Sequence, residues 1–126
     1  MRIIPYSPRY RQDFIDFNTD WIVEHFGSLE QADVDVFNSI EALLSAGAMI
    51  FIAVDEQERA LACCMARPLE GRRWELCKLG SNRRLPHAGA GSAVFAAAMR
   101  YAEDQGADEI FLLYNTVLKP ALHNYE

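Results

Sequence analysis

Seven consecutive apolar residues in the middle of the chain restrict its fold more than any other feature of the sequence. The run Ala48–Val54 reads AMIFIAV and lacks the alternation of polar and apolar side chains that marks a half-buried strand. A strand of this kind is buried on both faces, so other elements must cover the sheet from two sides. Helical spacing of apolar residues predicts two helices before the run, over Tyr10–Phe26 and Gln31–Ala46, and one after it that ends at Gln105. These helices can form the two covering layers.

The order of the other elements defines the fold class. The predicted strands cover Met1–Tyr6, Ala48–Val54, Ala60–Pro68, Trp74–Leu79 and Glu109–Tyr114. Polar turns separate the three middle strands, which predicts an antiparallel meander, and the last strand–helix–strand unit should be parallel and right-handed. A short final helix is predicted over Leu118–Tyr125. We expect one α/β (α+β) domain over residues 1–126, with a mixed, mostly antiparallel central sheet and helices on both faces.

Charge and composition exclude several classes of protein. The 126 residues include 12 basic and 18 acidic side chains, and the net charge of -6 argues against a nucleic-acid-binding protein. No apolar stretch approaches the ~20 residues of a membrane helix, and the N-terminus lacks the layout of a signal peptide. We therefore expect a cytoplasmic protein with no membrane partner. The cysteines Cys63, Cys64 and Cys77 form no CxxC pair or His/Cys cluster with zinc spacing, so neither a disulfide scaffold nor a metal site is expected.

Basic side chains are concentrated in one segment despite the acidic average. They are Arg67, Arg72, Arg73, Lys78, Arg83 and Arg84. An anionic ligand and a solvated hairpin edge both account for this cluster. Just after it, Gly89 and Gly91 lie between a strand and a helix, where backbone N–H groups can approach a phosphate closely. A dinucleotide-binding fingerprint is the alternative, but it requires a third glycine where Val94 stands.

The second half of the chain resembles the core of a known family. The similar segments are ELCKLGS at Glu75–Ser81, the turn GAGS at Gly89–Ser92 and its helix, EIFLLY at Glu109–Tyr114, and NTVLKPALHNYE at Asn115–Glu126. They resemble GNAT-type N-acetyltransferases, and in particular small bacterial members. The resemblance is close from Trp74 to Glu126, whereas the first half matches in layout only. It implies the GNAT-like acyl-CoA N-acyltransferase fold.

The resemblance implies that acetyl-CoA is the co-substrate. Backbone groups of Leu79, Gly80 and Ser81 would pair with the pantetheine arm, in a gap between their strand and the strand Glu109–Tyr114. Asn115 would help to hold this arm. The pyrophosphate would lie on the turn that consists of His87, Ala88, Gly89, Ala90, Gly91 and Ser92.

The resemblance also implies catalytic roles for two residues. Glu75 would accept a proton from the incoming amine, directly or through water, and Tyr125 would protonate the departing thiolate. Acyl transfer to an amine requires both a neutral nucleophile and a protonated leaving group. The expected function is direct transfer of an acetyl group to a primary amine of a small molecule or peptide. The alternative is a non-catalytic, degenerate GNAT-fold module that binds CoA or a protein partner.

The acceptor itself is not identified by these motifs. The first predicted helix carries a row of acidic residues at Asp13, Asp16, Asp20 and Glu24. Such a row could attract a cationic amine, but a solvated helix face is the interpretation that we favour.

Two departures from the family pattern lead to further expectations. Pro86 and His87 replace an Arg or Gln and a frequent Gly, and Pro86 has no N–H, so CoA binding should be weakened. Family members continue with two more strands after the Tyr-Glu pair that ends this sequence. The strand Glu109–Tyr114 would therefore be an unpaired apolar edge. We expect either a missing tail or self-association, in which a homodimer covers this edge.

Overall fold

The computed structural model describes residues 1–112, and its elements follow the predicted order. The helices are α1 at Arg11–Phe26, α2 at Gln31–Asn38, α3 at Ile40–Ser45 and α4 at Ala90–Asp104. The strands are β1 at Arg2–Pro5, β2 at Met49–Val54, β3 at Ala60–Pro68, β4 at Arg73–Ser81 and β5 at Glu109–Leu112. One turn of 3-10 helix at Pro8–Tyr10 leads into α1. The predicted helix Leu118–Tyr125 and the end of the last predicted strand lie outside the described residues.

The prediction of one continuous helix over Gln31–Ala46 is wrong, because the segment breaks at Ser39. The Ser39 N–H donates to the carbonyl of Val36 at 3.0 Å, and the Ser39 carbonyl accepts from Leu43 N–H at 2.9 Å, which begins α3. Short polar side chains compete for backbone hydrogen bonds, so they are weak helix formers. The apolar periodicity continues across the break, since Phe37 and Ile40 are both buried. The pattern therefore gave no sign of the interruption.

The five strands form one sheet in the order β1-β2-β3-β4-β5. Neighbours from β1 to β4 are antiparallel, and β4 and β5 are parallel, from Arg73↔Glu109 to Leu76↔Leu112. The predicted meander, the mixed sheet and the parallel pairing at its end are thus confirmed. The expectation of either a missing tail or self-association stays a prediction.

Helices cover both faces of the sheet, as the apolar run in β2 requires. Ile50 and Ile52 lie on the face packed by α1, α2 and α3, together with Phe14 and Phe37. Ala53 lies on the opposite face, in the core formed with α4. All of these side chains are buried. Each fully buried Ile or Phe contributes roughly 1.5–3 kcal/mol to folding, so the two-sided burial of β2 is a main source of stability.

A β-bulge interrupts the pairing of β3 with β4. Met65 pairs with Cys77, but Cys63 pairs with Gly80, so two residues of β4 lie opposite Cys64 alone. Lys78 lies inside this bulge and has a φ of 53°, in the left-handed region that side chains other than glycine rarely adopt. A bulge bends its strand and changes the direction of the residues that follow. The C-terminal end of β4 therefore leaves the regular path of the sheet.

Strand β5 is less buried than its sequence predicts. Ile110 and Leu112 pack partly against the α4 core, whereas Phe111 on the other face keeps 42% of its surface exposed. The apolar sequence of β5 favours a buried strand, but β5 is the edge of the sheet within residues 1–112. An edge strand has a neighbour on one side only, and its side chains are covered correspondingly less.

Candidate functional site

The turn before α4 has the conformation that the glycine pattern predicts. Gly89 is the N-cap of α4 and has a φ of 88°, which glycine adopts without the steric cost of a side chain. The helix itself begins at Ala90, so Gly91 and Ser92 belong to its first turn and not to the preceding loop. The first intrahelical bond runs from Ala93 N–H to the Gly89 carbonyl at 2.9 Å. The amides of Gly91 and Ser92 therefore precede the helical ladder and suit an anion.

His87 has a partner within the same turn. Its Nδ1 lies 3.1 Å from the carbonyl oxygen of Ala88, to which a protonated Nδ1 donates. The ring is exposed. The imidazole that replaces the family glycine is thus directed by a local hydrogen bond, and its Nε2 is the ring atom that this bond leaves for a ligand.

Asn82 organises the loop that connects β4 to this turn. Its side-chain oxygen accepts hydrogen bonds from Arg84 N–H at 2.9 Å and Leu85 N–H at 3.1 Å, while its amide donates to the Ala60 carbonyl. An asparagine that bonds backbone groups two and three residues on makes a defined turn. Asn82 was not among the predicted site residues, although an Asn directly after a strand is the signal for such a turn.

The C-terminal end of β4 lies beside the start of α4. A Cβ placed on Gly91 would be 3.9 Å from the hydroxyl oxygen of Ser81. Gly80 and Ser81 pair with Cys63 and Ala62 of β3. The structure thus brings the predicted pantetheine and pyrophosphate segments together. The predicted gap on the other side of Leu79–Ser81 involves residues beyond Leu112, outside the described part of the chain.

Helix α1 packs directly on the backbone of Gly80. A Cβ at this position would lie 2.9 Å from the Cβ of Phe17, 3.1 Å from its carbonyl carbon and 3.2 Å from the amide nitrogen of Asn18. Real Cβ atoms essentially never come within 3.0 Å of another atom, and the two longer distances are also tighter than most real Cβ contacts. Glycine is therefore required here for close packing of helix and strand, which fixes the end of β4 against α1.

Glu75 is a buried carboxylate on the face that α1, α2 and α3 cover. Its exposure is 3%, and it shares its face with Cys77, two residues further along β4. Burial raises the pKa of Glu75, whereas the charge of Arg67, a hydrogen bond from the Cys77 thiol and the charge of Lys78 lower it. The net direction is upward, which suits a group that must accept a proton near neutral pH.

Lys78 does not belong to the exposed basic segment. Its Nζ lies 2.5 Å from Oδ1 of Asp33 in α2, and 5.6 Å from the centre of the Phe37 ring. Only 6% of Lys78 is exposed. Burial raises the pKa of Asp33, but hydrogen bonds from Lys78 and from the Glu30 amide and the charge of Lys78 outweigh it, so the pKa falls. Lys78 is therefore a buried link to α2, so neither an anionic ligand nor a solvated hairpin edge accounts for this member of the basic segment.

The acidic row of α1 faces a cleft. The cleft has a volume of about 820 Å³ and lies between α1 and the loop after β4. On one side it has the acidic side chains, and on the other Asn82, Arg83 and Arg84. Arg83 forms an ion pair with Glu24 across it. These acids thus face a basic loop instead of open solvent alone.

The three cysteines are buried thiols. Cys63, Cys64 and Cys77 are free and buried. Burial raises the pKa of Cys63 and of Cys77 to about 12, so neither forms a thiolate near neutral pH.

Among residues 1–112, no group of three or more His, Cys, Asp or Glu side chains could hold a metal ion. None of the helices in that part of the chain is long and apolar enough to cross a membrane. Tyr125 and Asn115 lie outside the described residues.

Comparison with solved structures identifies the class of fold. The chain matches an acetyltransferase of the GNAT family from Staphylococcus aureus Mu50 over 98% of its own length and 78% of that chain, with a TM-score of 0.77 and 19% identity. A predicted acetyltransferase from Clostridium acetobutylicum, solved with acetyl-CoA, gives a TM-score of 0.76 at 11% identity, over 98% and 87% of the two chains. A putative acetyltransferase from Pyrococcus furiosus gives 0.69 at 19% identity, over 99% and 91%. The fold is that of the acetyltransferases.

The family follows from the sequence. Residues 12–126 match the family described as the Acetyltransferase (GNAT) family. The chain therefore belongs to the GNAT acetyltransferase family, and both the resemblance and the predicted fold class are confirmed. No curated protein matches the chain.

Proposed function

We propose that the protein is an N-acetyltransferase that moves an acetyl group directly from acetyl-CoA to a primary amine of a small molecule or peptide. The amine nitrogen attacks the thioester carbonyl carbon, the new C–N bond forms and the C–S bond breaks. Glu75 takes the amine proton, directly or through water, and Tyr125 gives a proton to the departing thiolate. The nitrogen loses a second proton when the amide forms, and this proton replaces the one that Tyr125 gives to the thiolate.

The observation that carries this proposal is the junction between β4 and α4. Leu79 is the second residue of the bulge, Gly80 and Ser81 follow it, and Ser81 lies next to the glycine-capped first turn of α4. An extended backbone beside a helix N-terminus offers hydrogen-bonding groups to an amide-containing arm and N–H donors to a pyrophosphate. Acetyl-CoA contains both of these groups in one molecule. The acetyl-CoA complex of the Clostridium acetobutylicum protein, which shares this fold, supports the same co-substrate.

The environment of Glu75 supports its role as the base. An amine with a pKa near ~10 is protonated at neutral pH, and a carboxylate can remove its proton through a bound water. Glu75 is four residues before Leu79 on the same strand, so base and proposed pantetheine segment belong to one rigid element. Burial raises the pKa of Glu75 and makes its carboxylate a stronger proton acceptor.

Substitution of Gly91 tests the proposed cofactor site. Among residues 1–112, the atom nearest to a Cβ here is Ser81 Oγ at 3.9 Å, so Gly91→Asp should fold, and its negative charge is favourable at a helix N-terminus. The same charge repels a pyrophosphate. We expect acetyl-CoA in large excess to stabilise the wild type by about 2.7 kcal/mol at 100 times Kd, and Gly91→Asp to lose most of this effect.

Gly91→Asn is the matched control, because it has the same size without the charge and should keep most of the thermal shift. An equal shift in Gly91→Asp would show that the pyrophosphate does not bind this turn. Release of the CoA thiol with a panel of amines then tests transfer. A chain that binds acetyl-CoA but releases no thiol with any amine would be the non-catalytic module.

A further inference from the structure

Three residues with different chemistry form a row across the face of the sheet at Glu75. Arg67 of β3 is directly opposite Glu75 in the antiparallel register, and Phe111 of β5 is directly opposite it in the parallel register. Directly paired residues project from the same face of a sheet, and neighbouring strands are about 4.8 Å apart. A guanidinium, a carboxylate and an aromatic ring are thus within the reach of one small molecule.

The row is accessible at its two ends and buried in the middle. The Arg67 side chain is 37% exposed and that of Glu75 5%. Phe111 keeps 42% of its surface exposed. A ligand can therefore approach Arg67 and Phe111 from solvent and meet the carboxylate at the base of the site.

Arg67 retains its capacity to bind an anion. Its Nη1 lies 3.7 Å from Oε1 of Glu75, which is an ion-pair distance but too long for a hydrogen bond. Within residues 1–112, the guanidinium donates no hydrogen bond to another group. Guanidinium groups bind carboxylates through two parallel N–H donors, so Arg67 matches the carboxylate of a ligand.

We infer that the acceptor is a free α-amino acid with an apolar side chain, an inference that rests on the proposed function. Its carboxylate binds Arg67, its amine lies at Glu75, and its side chain packs against Phe111. The neighbouring positive and negative groups of the protein are complementary to the two charges of an amino acid. A polyamine would instead bring a second positive charge toward Arg67, and a peptide N-terminus has no carboxylate next to its amine.

The test compares L-phenylalanine with 2-phenylethylamine, which has the same ring and amine but lacks the carboxylate. Thiol release from acetyl-CoA is measured over a range of pH, because loss of Arg67 removes a charge that lowers the pKa of Glu75. We expect kcat/KM to be about 10- to 100-fold higher for phenylalanine, the range of hydrogen bonds to charged groups. Arg67→Gln should raise KM for phenylalanine by a similar factor, and should change kcat/KM for 2-phenylethylamine much less.

Two further variants separate recognition from a structural role. Arg67→Lys keeps the charge without the two-pronged geometry and should recover part of the loss. Arg100→Gln, at an exposed position of α4 on the other side of the sheet, should change neither substrate. Equal use of the two substrates by the wild type, or an equal loss for both in Arg67→Gln, would overturn the inference.

Absence of turnover with every amine would instead refute the proposed function. Calorimetric titration of phenylalanine into the CoA-saturated wild type and Arg67→Gln then decides the inference. Binding to the wild type that is lost in Arg67→Gln supports it, and equal or absent binding refutes it.

Discussion

Replacing Gly80 with alanine puts a methyl group where helix α1 packs on strand β4. The added carbon would lie 2.9 Å from Phe17 Cβ, 3.1 Å from Phe17 C and 3.2 Å from Asn18 N. Two of these neighbours are backbone atoms, and the third is the first side-chain atom of Phe17. None of them can move away through a rotamer change. Either α1 or β4 must therefore shift as a unit.

The loss of folding free energy in Gly80→Ala is set by the need to move backbone atoms. Overpacking a tight core typically costs about 1–3 kcal/mol, and we expect Gly80→Ala to cost about 2–3 kcal/mol because backbone must move. For a domain of this length, about 4 °C of Tm corresponds to each kcal/mol, so Tm should fall by roughly 8–12 °C.

Gly91→Ala provides the control, because it is the same chemical change at a glycine where the added Cβ has enough space among residues 1–112. Its nearest contact would be 3.9 Å, so we expect no loss, or a gain of about 0.4–1 kcal/mol from the reduced entropy of the unfolded chain. Urea unfolding and thermal melts of the two variants and the wild type give the comparison. A stability of Gly80→Ala equal to that of Gly91→Ala would refute the close packing of α1 on β4.

Three other perturbations test the buried charges and the proposed acid. Lys78→Met leaves the partly buried carboxylate of Asp33 without its cation and should destabilise the fold by about 1–3 kcal/mol, whereas Asp33→Leu combined with Lys78→Met should recover much of this loss in urea unfolding. The pKa of Asp33 is lowered in the fold, so its contribution to stability is complete above ~3.9, the unfolded value, and disappears as the pH falls through the folded pKa. Asp33→Asn should accordingly flatten the acid side of the stability–pH curve; an unchanged slope would contradict the ion pair. Tyr125→Phe should lower kcat while acetyl-CoA binding, measured by thermal shift, stays the same; unchanged turnover would exclude Tyr125 as the acid.

Much of the fold could be predicted because its signals are local. The apolar run of β2 identified a two-sided strand, polar turns separated the meander, and glycines marked both ends of α4. Gly89 also located the candidate anion site, since a glycine between a strand and a helix permits the positive φ that turns backbone N–H groups toward a ligand. The order of strands then followed from short connections between neighbours.

The remaining parts of the site depend on contacts between distant residues. Asp33 and Lys78 are 45 positions apart, and their pairing requires both the bulge and the packing of α2 on the sheet. Regular alternation of side chains along β4 would have placed Lys78 on the same face as Leu76, which α4 covers. Arg67 is opposite Glu75 only in the observed register, which strand patterns do not specify to the residue. The break at Ser39 was concealed because buried residues continue on both sides of it.

Both carboxylate oxygens of Asp33 accept hydrogen bonds, and this limits how loops can be exchanged between related domains. Oδ2 accepts from the Glu30 amide at the first turn of α2, and Oδ1 accepts from Lys78 in the bulge of β4. One side chain thus ties the connection between α1 and α2 to the strand that precedes the proposed cofactor segment. Loop exchange between relatives, a common route to new enzyme specificities, would have to carry Asp33 and Lys78 together. A loop exchange that transfers only one of these two residues would lose the ion pair and weaken the packing of the new loop on β4.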